Sequence, residues 1–337
     1  MNINFIFSRS QKLAWLTFLE KEKRILILAG GGGHTGFAYA LAQRLKNRAS
    51  IDFLIPEADT SSYNRLNKFG KVDYLLKPRG AKTPTGKFAY NLARAITNSM
   101  KKVKGEFDAV LSTGSNFCIP PALAARLKRI PLVNLEGEAR FTGASKTARI
   151  LQPFSTVTAL QWSEQKKFLN GTVVGPIFPK PELEPFSGGY ILVTGGTLGH
   201  KRLFDSLNES KLKNVVLQTG KVDPEPYRKH HPEWKILDFS LNFSELIAGA
   251  EVIVTHQGSV PLEAAAYKKP SVIVPDPELK RTFPRRDSEI FAKKVGAIIL
   301  SDVTLETLLE AIETAKNNKI PALKDGAKVL ANMILSL

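Results

Sequence analysis

The sequence predicts an α/β protein made of two Rossmann-like, doubly wound domains that face a cleft. An apolar run leads into a glycine-rich turn at Gly30–Gly33, and the same order recurs at Gly195–Gly199. Strand-like and helix-like runs alternate after each turn, which is typical of a parallel sheet with crossover helices. A proline-rich segment between the two halves suits neither a helix nor a central strand. We therefore expect two domains of similar plan.

These signals divide the 337 residues into four parts. Residues 1–24 form an apolar, amphipathic extension, which either lies in a membrane interface or packs on the first domain. The first Rossmann-like domain covers residues 25–175, the linker residues 176–187 and the second domain residues 188–337. The single cysteine, Cys118, excludes an internal disulfide and fits a reducing cytoplasm.

Positive charge is concentrated in the first half of the chain. The net charge of the chain is +17. Residues 1–170 hold 27 Lys and Arg against 11 Asp and Glu, whereas the remaining residues hold 21 against 20. This asymmetry indicates an anionic partner. No nucleic-acid motif accompanies it, and no apolar run is long enough to span a bilayer. A phosphorylated substrate, an acidic membrane surface and a merely solvated basic surface remain open. The basic segment 63–104 suits anionic headgroups or a pyrophosphate. The candidate membrane-facing cations are Lys77, Arg79, Lys82, Lys87, Arg94, Lys101 and Lys102.

The first glycine loop continues as Gly31-x-Gly33-x-x-Gly36 and has His34 where the loop meets the following helix. Glycines bring backbone N–H groups close to a phosphate at a helix start. His34 is a candidate base, or a residue that only caps or packs. Further along, strand Pro131–Leu135 ends at Glu136. Since parallel strands place ligand sites at their carboxyl ends, Glu136 and Glu138 are candidates to act on a substrate, or solvated loop carboxylates.

In the second half, Thr255–Glu263 passes from a strand end through a glycine turn into a helix. Free N–H groups at such a helix start can hold a phosphate. Glu263 lies about one turn from the start of this helix. Its carboxylate either binds a ribose diol or interacts favourably with the positive end of the helix dipole.

These motifs together resemble a family of N-acetylglucosamine transferases over nearly the whole chain. Gly30–Gly36, the Glu136 segment and Leu160–Trp162 resemble the membrane-docking subunit of the eukaryotic two-subunit enzyme that adds the second N-acetylglucosamine to dolichol pyrophosphate. Val193–Gly199 and Thr255–Glu263 resemble its donor-binding catalytic subunit. Both parts occur here in one chain, docking half first, as in archaeal single-chain counterparts. The bacterial lipid II-forming enzyme MurG shares the two-domain plan and the glycine–histidine loop.

The resemblance implies a GT-B fold and an inverting transfer of N-acetylglucosamine from UDP-GlcNAc to a polyprenyl- or dolichyl-pyrophosphate-linked sugar. It suggests GlcNAc-pyrophosphate-dolichol as acceptor, in lipid-linked oligosaccharide assembly for N-glycosylation. The resemblance also implies a peripheral protein at the cytoplasmic face of the membrane. Its first domain would bind the acceptor and the membrane, and its second domain would bind the nucleotide sugar.

The family's site residues map onto this chain in two groups. The implied donor-binding residues are Gly195, Gly196, Thr197, His256, Gly258, Ser259, Glu263 and Asp287. The implied acceptor- or phosphate-binding residues are Gly31, Gly32, Gly33, Thr35, Thr113, Gly114, Asn116 and Arg140. One segment departs from the family, which usually has Gln with Asn or His nearby to contact the donor sugar. Here that place is Arg285–Ser288, which leaves Asp287 to bond a sugar hydroxyl.

For the mechanism we expect His34 to be the base on the acceptor hydroxyl. Glu136 is the second choice, or the group that orients His34. Backbone N–H groups of the two glycine turns would stabilise the departing UDP, so we expect no metal and no other cofactor. The pair Asp276 and Glu278 has the spacing of a metal-binding motif, but the proline between them makes it a poor ligand pair.

Three other functions remain open at this stage. A UDP-GlcNAc 2-epimerase would share the two-domain plan without needing the basic first half. An NAD-dependent oxidoreductase, with Asp52 or Glu57 on the ribose, would explain the first glycine loop but not the second. A non-catalytic membrane-docking partner of another transferase is the third.

Overall fold

The computed structural model describes residues 22–78, 85–240, 242–279 and 283–337, with only the backbone at 85–89. The strands are β1 (Arg24–Leu28), β2 (Ser50–Pro56), β3 (Lys71–Leu75), β4 (Ala109–Ser112), β5 (Leu132–Leu135), β6 (Val157–Leu160), β7 (Thr172–Val173), β8 (Tyr190–Thr194), β9 (Val215–Gln218), β10 (Lys235–Leu237), β11 (Ala250–Thr255), β12 (Ser271–Ile273) and β13 (Ile298–Ile299). The helices are α1 (Gly33–Leu45), α2 (Thr60–Leu66), α3 (Thr85–Lys102), α4 (Ile119–Leu127), α5 (Lys146–Leu151), α6 (Lys201–Asn208), α7 (Glu225–His230), α8 (Phe243–Gly249), α9 (Val260–Ala266), α10 (Arg285–Val295), α11 (Leu305–Lys316) and α12 (Gly326–Leu335).

The first domain is built on a parallel sheet in the order β3-β2-β1-β4-β5-β6-β7. Strand β1 is apolar from Ile25 to Leu28 and fully buried, as expected for a strand covered by helices on both faces. The strand order reverses between β1 and β4, and in such sheets a crevice opens there at the carboxyl ends of the strands. The loops that follow β1 and β4 therefore meet at one place.

The second domain repeats this plan with a parallel sheet in the order β10-β9-β8-β11-β12-β13. Its order reverses between β8 and β11, so the Gly195–Gly199 turn and the loop before α9 lie side by side. The predicted α/β class with two Rossmann-like domains is confirmed.

The last helix lies on the first domain, although the sequence analysis placed residues 188–337 in the second. Its apolar face, Ala327, Leu330, Ala331 and Ile334, is buried in one core with α1 and β1. The i, i+3, i+4, i+7 spacing of that face marks an amphipathic helix but does not tell which domain it covers. An ion pair from Arg44 to Asp325 fixes the start of α12 beside α1. The chain therefore crosses back to the first domain before it ends.

The basic segment 63–104 is divided by the fold. Lys77, Arg94 and Lys101 are exposed, while Lys102 pairs with Asp73 at 3.0 Å. Arg79 and Lys82, like most of the extension 1–24, lie outside the described residues, and so does the side chain of Lys87. Within the described ranges, no helix combines the length and the apolar character that a membrane crossing requires.

Candidate active site

A cleft of about 790 Å³ lies between the two domains and is lined by residues from both. That volume is within the usual range for small-ligand sites. The predicted site residues found on its walls are Gly32, Gly33, His34, Gly114, Glu136, Arg140, Gly195, Gly196, Thr197, His256, Gly258, Ser259 and Glu263. The sequence motifs of the two halves therefore do face one space.

His34 lies at the start of α1 with its imidazole held by the neighbouring loop. Its Nδ1 is 2.6 Å from the carbonyl oxygen of Thr113, which follows β4. Because a carbonyl can only accept, Nδ1 carries the proton, and in the neutral ring Nε2 keeps its lone pair. Burial lowers the pKa of His34 below its ordinary value of 6.5, and the positive charges of Lys77 and Arg140 lower it further. His34 is therefore a neutral imidazole with one basic nitrogen.

The loop after β4 can approach His34 because it contains Gly114. This residue has φ +98°, a left-handed conformation that disfavours a side chain. A Cβ there would also lie 2.9 Å from the carbonyl oxygen of Leu135 and 3.7 Å from the His34 ring. The glycine allows β1, β4 and β5 to bring their loops together around the histidine.

Glu136 lies in the cleft wall, but its carboxylate is engaged by backbone rather than by His34. Its two oxygens accept the N–H groups of Gly137, at 2.6 Å, and Ser145, at 2.8 Å. Burial raises the pKa of Glu136, while these hydrogen bonds oppose that rise. The expectation that Glu136 orients His34 therefore differs from the structure, in which the Thr113 carbonyl does so. Glu136 closes the loop 137–145 instead.

Three side chains that the sequence analysis did not assign a role hold this same loop. Gln161 Nε2 donates to the Glu136 carbonyl at 2.8 Å, and Trp162 Nε1 donates to the Glu138 carbonyl at 2.7 Å. Gln165 Nε2 donates to the Gly137 carbonyl at 2.7 Å. The only signal in the sequence was the Leu160–Trp162 segment noted for the family resemblance.

Glu138 and Arg140 bring opposite charges to the cleft beyond Glu136. Burial raises the pKa of Glu138, and the Arg140 cation opposes this rise. Both side chains line the cleft on the same side as His34. This wall therefore offers a neutral base on α1, and a cation and a buried carboxylate on the loop after β5.

The wall from the second domain consists of two glycine turns packed around His256. Gly196 has φ +64°, and a Cβ on it would lie 3.2 Å from Cε1 of His256. Burial, with the nearby His200, lowers the pKa of His256 to about 4, so the ring is neutral at pH 7. Its buried Nδ1 has no hydrogen-bond partner among the described residues. The glycines of the two turns, Gly195, Gly196 and Gly258, therefore expose backbone to the cleft.

Glu263 projects from α9 towards the first domain. Its Oε1 accepts the hydroxyl of Ser259 at 3.2 Å, and its Oε2 lies 3.8 Å from Nη2 of Arg65 on α2. Burial raises the pKa of Glu263, whereas Arg65 and the Ser259 hydroxyl lower it. The carboxylate is thus placed where a ligand in the cleft reaches it, with a cation from the opposite domain beside it.

Asp287, which was expected at the donor sugar, lies outside the cleft wall. It belongs to the first turn of α10 and is 1 % exposed. Its Oδ1 accepts the N–H groups of Phe141, at 3.2 Å, and Thr142, at 2.8 Å. Because these two donors belong to the first domain, Asp287 joins the domains rather than facing a sugar.

Four of the implied acceptor residues lie behind the residues that line the cleft and contact the surrounding structure. Thr35 Oγ1 bonds the hydroxyl of Ser62 at 2.5 Å, and Thr113 Oγ1 donates to the Leu28 carbonyl at 2.8 Å. Gly31 packs near Asp59, and Asn116 begins a short 3₁₀ turn. None of the four is in the cleft lining.

The possible metal-binding pair is also engaged locally, since Asp276 Oδ1 accepts the backbone N–H of Glu278 at 2.9 Å. In the part of the chain that the structure covers, no three His, Cys, Asp or Glu side chains cluster in a way that would hold a metal.

Fold and cleft together define a GT-B protein, with two facing Rossmann-like domains and a ligand site between them. The model of the glycosyltransferase family 28 C-terminal domain matches residues 190–332, most of the second domain. Acinetobacter baumannii MurG has the same fold, with a TM-score of 0.65 and 19% identity over 94% of this chain and 100% of that one. A UDP-GlcNAc 2-epimerase from Neisseria meningitidis superposes with a TM-score of 0.62 and 16% identity, covering 93% and 100%.

The sequence relatives are MurG-type proteins. One from Synechococcus elongatus is 28% identical over 94% of this chain and 99% of its own length. Another, from Trichodesmium erythraeum, is 25% identical over 94% and 90%. Both are named UDP-N-acetylglucosamine–N-acetylmuramyl-(pentapeptide) pyrophosphoryl-undecaprenol N-acetylglucosamine transferase. The similarity thus extends across both domains of the chain.

Proposed function

We propose that this protein transfers N-acetylglucosamine from UDP-GlcNAc to an N-acetylated amino sugar linked to a polyprenyl diphosphate. The observation that carries the proposal is the neutral His34, with Nε2 available, across one cleft from the glycine turns and Glu263. The names of the full-length relatives support the same donor and a lipid-diphosphate acceptor.

The donor is proposed to bind in the second domain. Backbone N–H groups of the Gly195–Thr197 and Gly258–Ser259 turns would meet the diphosphate, and the Glu263 carboxylate would accept the ribose hydroxyls. The edge of the His256 ring that carries Nε2 lies beside both turns, and Nε2 offers one further polar contact. Asp287 has no part in this proposal, because its acceptor oxygen is already used by the first domain.

The chemistry is proposed to be a single in-line displacement. His34 Nε2 would take the proton of the acceptor hydroxyl as its oxygen attacks the anomeric carbon, and UDP would leave with the bonding electrons. One displacement inverts the anomeric configuration. N–H groups fixed around the leaving diphosphate would stabilise the charge that develops there, so no metal is required in this mechanism. Glu136 contributes by holding the loop 137–145 that carries Glu138 and Arg140.

The acceptor is proposed to bind against the first domain. Its diphosphate would lie near Gly32 and Gly33, where an added Cβ would meet nothing within 4 Å, and near the Arg140 cation. The sequence resemblance implied a GlcNAc-linked dolichol acceptor, whereas the relatives are named for an N-acetylmuramyl-pentapeptide on undecaprenol. The chemistry common to both is an N-acetylhexosamine on a polyprenyl diphosphate.

A lipid acceptor requires access to a membrane, and we propose that the first domain provides it. One face of α3 exposes Tyr90 beside Arg94 and Lys101, and Ile96 is exposed farther round the same helix. Aromatic and aliphatic groups among cations suit an anionic lipid surface. Peripheral binding at the cytoplasmic face, where UDP-GlcNAc is available, follows from this proposal.

The test is transfer of radiolabel from UDP-GlcNAc, with EDTA present, to two synthetic acceptors. One acceptor carries N-acetylglucosamine on a short polyprenyl diphosphate, and the other carries N-acetylmuramyl-pentapeptide on the same lipid. A parallel reaction without acceptor detects 2-epimerase activity as UDP-N-acetylmannosamine, or as free UDP and N-acetylmannosamine if water also cleaves the bond between sugar and phosphate.

Labelled lipid from either acceptor supports the proposal and identifies the acceptor sugar. Formation of UDP-N-acetylmannosamine or of N-acetylmannosamine without acceptor would overturn it in favour of an epimerase. Intact donor in all reactions, with Mg²⁺ restored as well, would also overturn it.

A further inference from the structure

One face of α9 points towards the first domain and carries Ser259, Glu263 and Tyr267. These residues are four apart, so they share one side of the helix. A Cβ built on Gly36, at the start of α1, would lie 3.8 Å from the Ser259 hydroxyl. The Tyr267 hydroxyl accepts the backbone N–H of Glu182 from the linker at 2.9 Å. Between these two contacts, Glu263 faces Arg65.

Arg65 is held in place by an aromatic ring rather than by Glu263. Its guanidinium carbon lies 4.7 Å from the ring centroid of Tyr39, a cation–π contact. Tyr39 is itself fixed, because its hydroxyl donates to Glu182 and accepts from Lys68 Nζ at 3.0 Å. The 3.8 Å separation between Arg65 and Glu263 is long for an ion pair. The position of the guanidinium is therefore set within the first domain and by the linker.

This arrangement matters because Glu263 is 7 % exposed. A carboxylate accepts hydrogen bonds from both hydroxyls of a diol only when it is ionised, and burial opposes ionisation. Arg65 is the cation that lies within 4 Å of Glu263 among the described residues. Lys68 lines the same part of the cleft, so this wall of the first domain is positively charged where it faces the second.

We propose that Arg65 is a positioning residue of the nucleotide site, supplied by the first domain to hold the Glu263 carboxylate for the ribose diol of a uridine diphosphate. The inference rests on the proposed function and adds a contribution from the opposite domain. It adds a role in the nucleotide site to the sequence expectation that the basic segment 63–104 suits anionic headgroups or a diphosphate. Nucleotide affinity then depends on how the two domains face each other.

Calorimetric titration with UDP alone tests this without any lipid. We expect Arg65→Ala to weaken UDP binding by about tenfold, because a cation at this distance favours the ionised carboxylate by about one pKa unit or more and that help is lost. Arg65→Lys should restore part of that affinity, because it keeps the charge. Arg126→Ala, which removes an exposed arginine at the end of α4, is the matched control and should bind as the wild type does.

A double substitution separates positioning from a direct contact with the ligand. If Arg65 acts through Glu263, Arg65→Ala should cause no further loss of UDP affinity once Glu263→Gln is present. In the transfer reaction, Arg65→Ala should raise KM for UDP-GlcNAc and leave KM for the lipid acceptor unchanged. The thermal midpoint without ligand should stay at the wild-type value, which a general folding defect would not allow.

The outcomes distinguish this inference from the proposed function. Unchanged UDP affinity in Arg65→Ala, or a raised KM for the acceptor alone, would overturn the inference and leave the transferase intact. If UDP binding depends on Arg65 but no lipid product forms, the inference is supported and the proposed lipid-diphosphate acceptor is contradicted. Wild-type protein that does not bind UDP at all would overturn both.

Discussion

The Nδ1 atom of His34 lies 2.6 Å from the carbonyl oxygen of Thr113, across the point where β1 and β4 separate. This hydrogen bond fixes both the tautomer and the direction of the imidazole, because the carbonyl accepts the Nδ1 proton. The other nitrogen, Nε2, is then the basic one. A similar role is usual for a carboxylate behind a catalytic histidine, but here a backbone carbonyl supplies it.

The pH dependence of the transferase should report this histidine. A base acts only when it is unprotonated, so activity should fall as the pH drops through the pKa of His34. Burial and nearby cations lower that pKa below 6.5. We therefore expect kcat/KM to be level near pH 7 and to decline only below pH 6.5.

The measurement is kcat/KM for the acceptor between pH 5 and 8, for the wild type and for His230→Ala, an exposed histidine of the second domain. Both should show the same acid limb. A limb centred above pH 7, or one that persists in the residual activity of His34→Ala, would assign the proton transfer to another group.

Glu136→Gln should destabilise the protein rather than remove a base. Each carboxylate oxygen accepts a backbone N–H, and the amide nitrogen of Gln would face one of these donors. Leaving one buried donor unpaired costs about 1 to 3 kcal/mol in the free energy of unfolding. Urea unfolding measures this cost, with Glu310→Gln on the exposed face of α11 as control. Unchanged stability with lost activity would instead give Glu136 a chemical role.

Asp287 should be needed for the contact between the domains. One side-chain oxygen at this position, even without the negative charge, should be enough to keep that contact. Asp287→Ala removes the oxygen that accepts the N–H groups of Phe141 and Thr142, whereas Asp287→Asn keeps one acceptor oxygen for them. We expect the alanine variant to lose about 1 to 3 kcal/mol in the free energy of unfolding and the asparagine variant to lose much less. If Asp287→Asn instead raised KM for the donor without loss of stability, the earlier expectation of a sugar contact would regain support.

Two glycines of the first loop should respond in opposite ways to alanine. A Cβ on Gly30 would lie 2.1 Å from the Cβ of Ser115, so Gly30→Ala should lower the thermal midpoint. A Cβ on Gly33 meets nothing within 4 Å, so Gly33→Ala should fold normally and fill space proposed for the acceptor diphosphate. Thermal unfolding and KM for the acceptor measure these effects. Wild-type acceptor KM in Gly33→Ala would place the diphosphate elsewhere.

The sequence was sufficient to predict the fold and a part of the cleft lining. Glycine turns after β1 and β8 mark the two switch points, and another glycine turn follows β11. The cleft residues His34 and Glu263 lie in the helices that begin after the β1 and β11 turns. Contacts distant in sequence were not predictable. The apolar face of α12 indicates that it packs but not on which domain, and Asp287 reaches Phe141 over 146 positions. Arg65 belongs to a basic run whose members take different roles only in three dimensions.

The measurement that tests the account most directly is the anomeric configuration of the product, determined by NMR from wild-type protein, with His34→Ala assayed beside it. UDP-GlcNAc carries an α-linked sugar, so a single displacement with His34 as base predicts a β-linked N-acetylglucosamine on the lipid acceptor. His34→Ala should be slower by about 10² to 10⁴ in kcat. An α-linked product, or a His34→Ala variant with wild-type kcat, would contradict the mechanism.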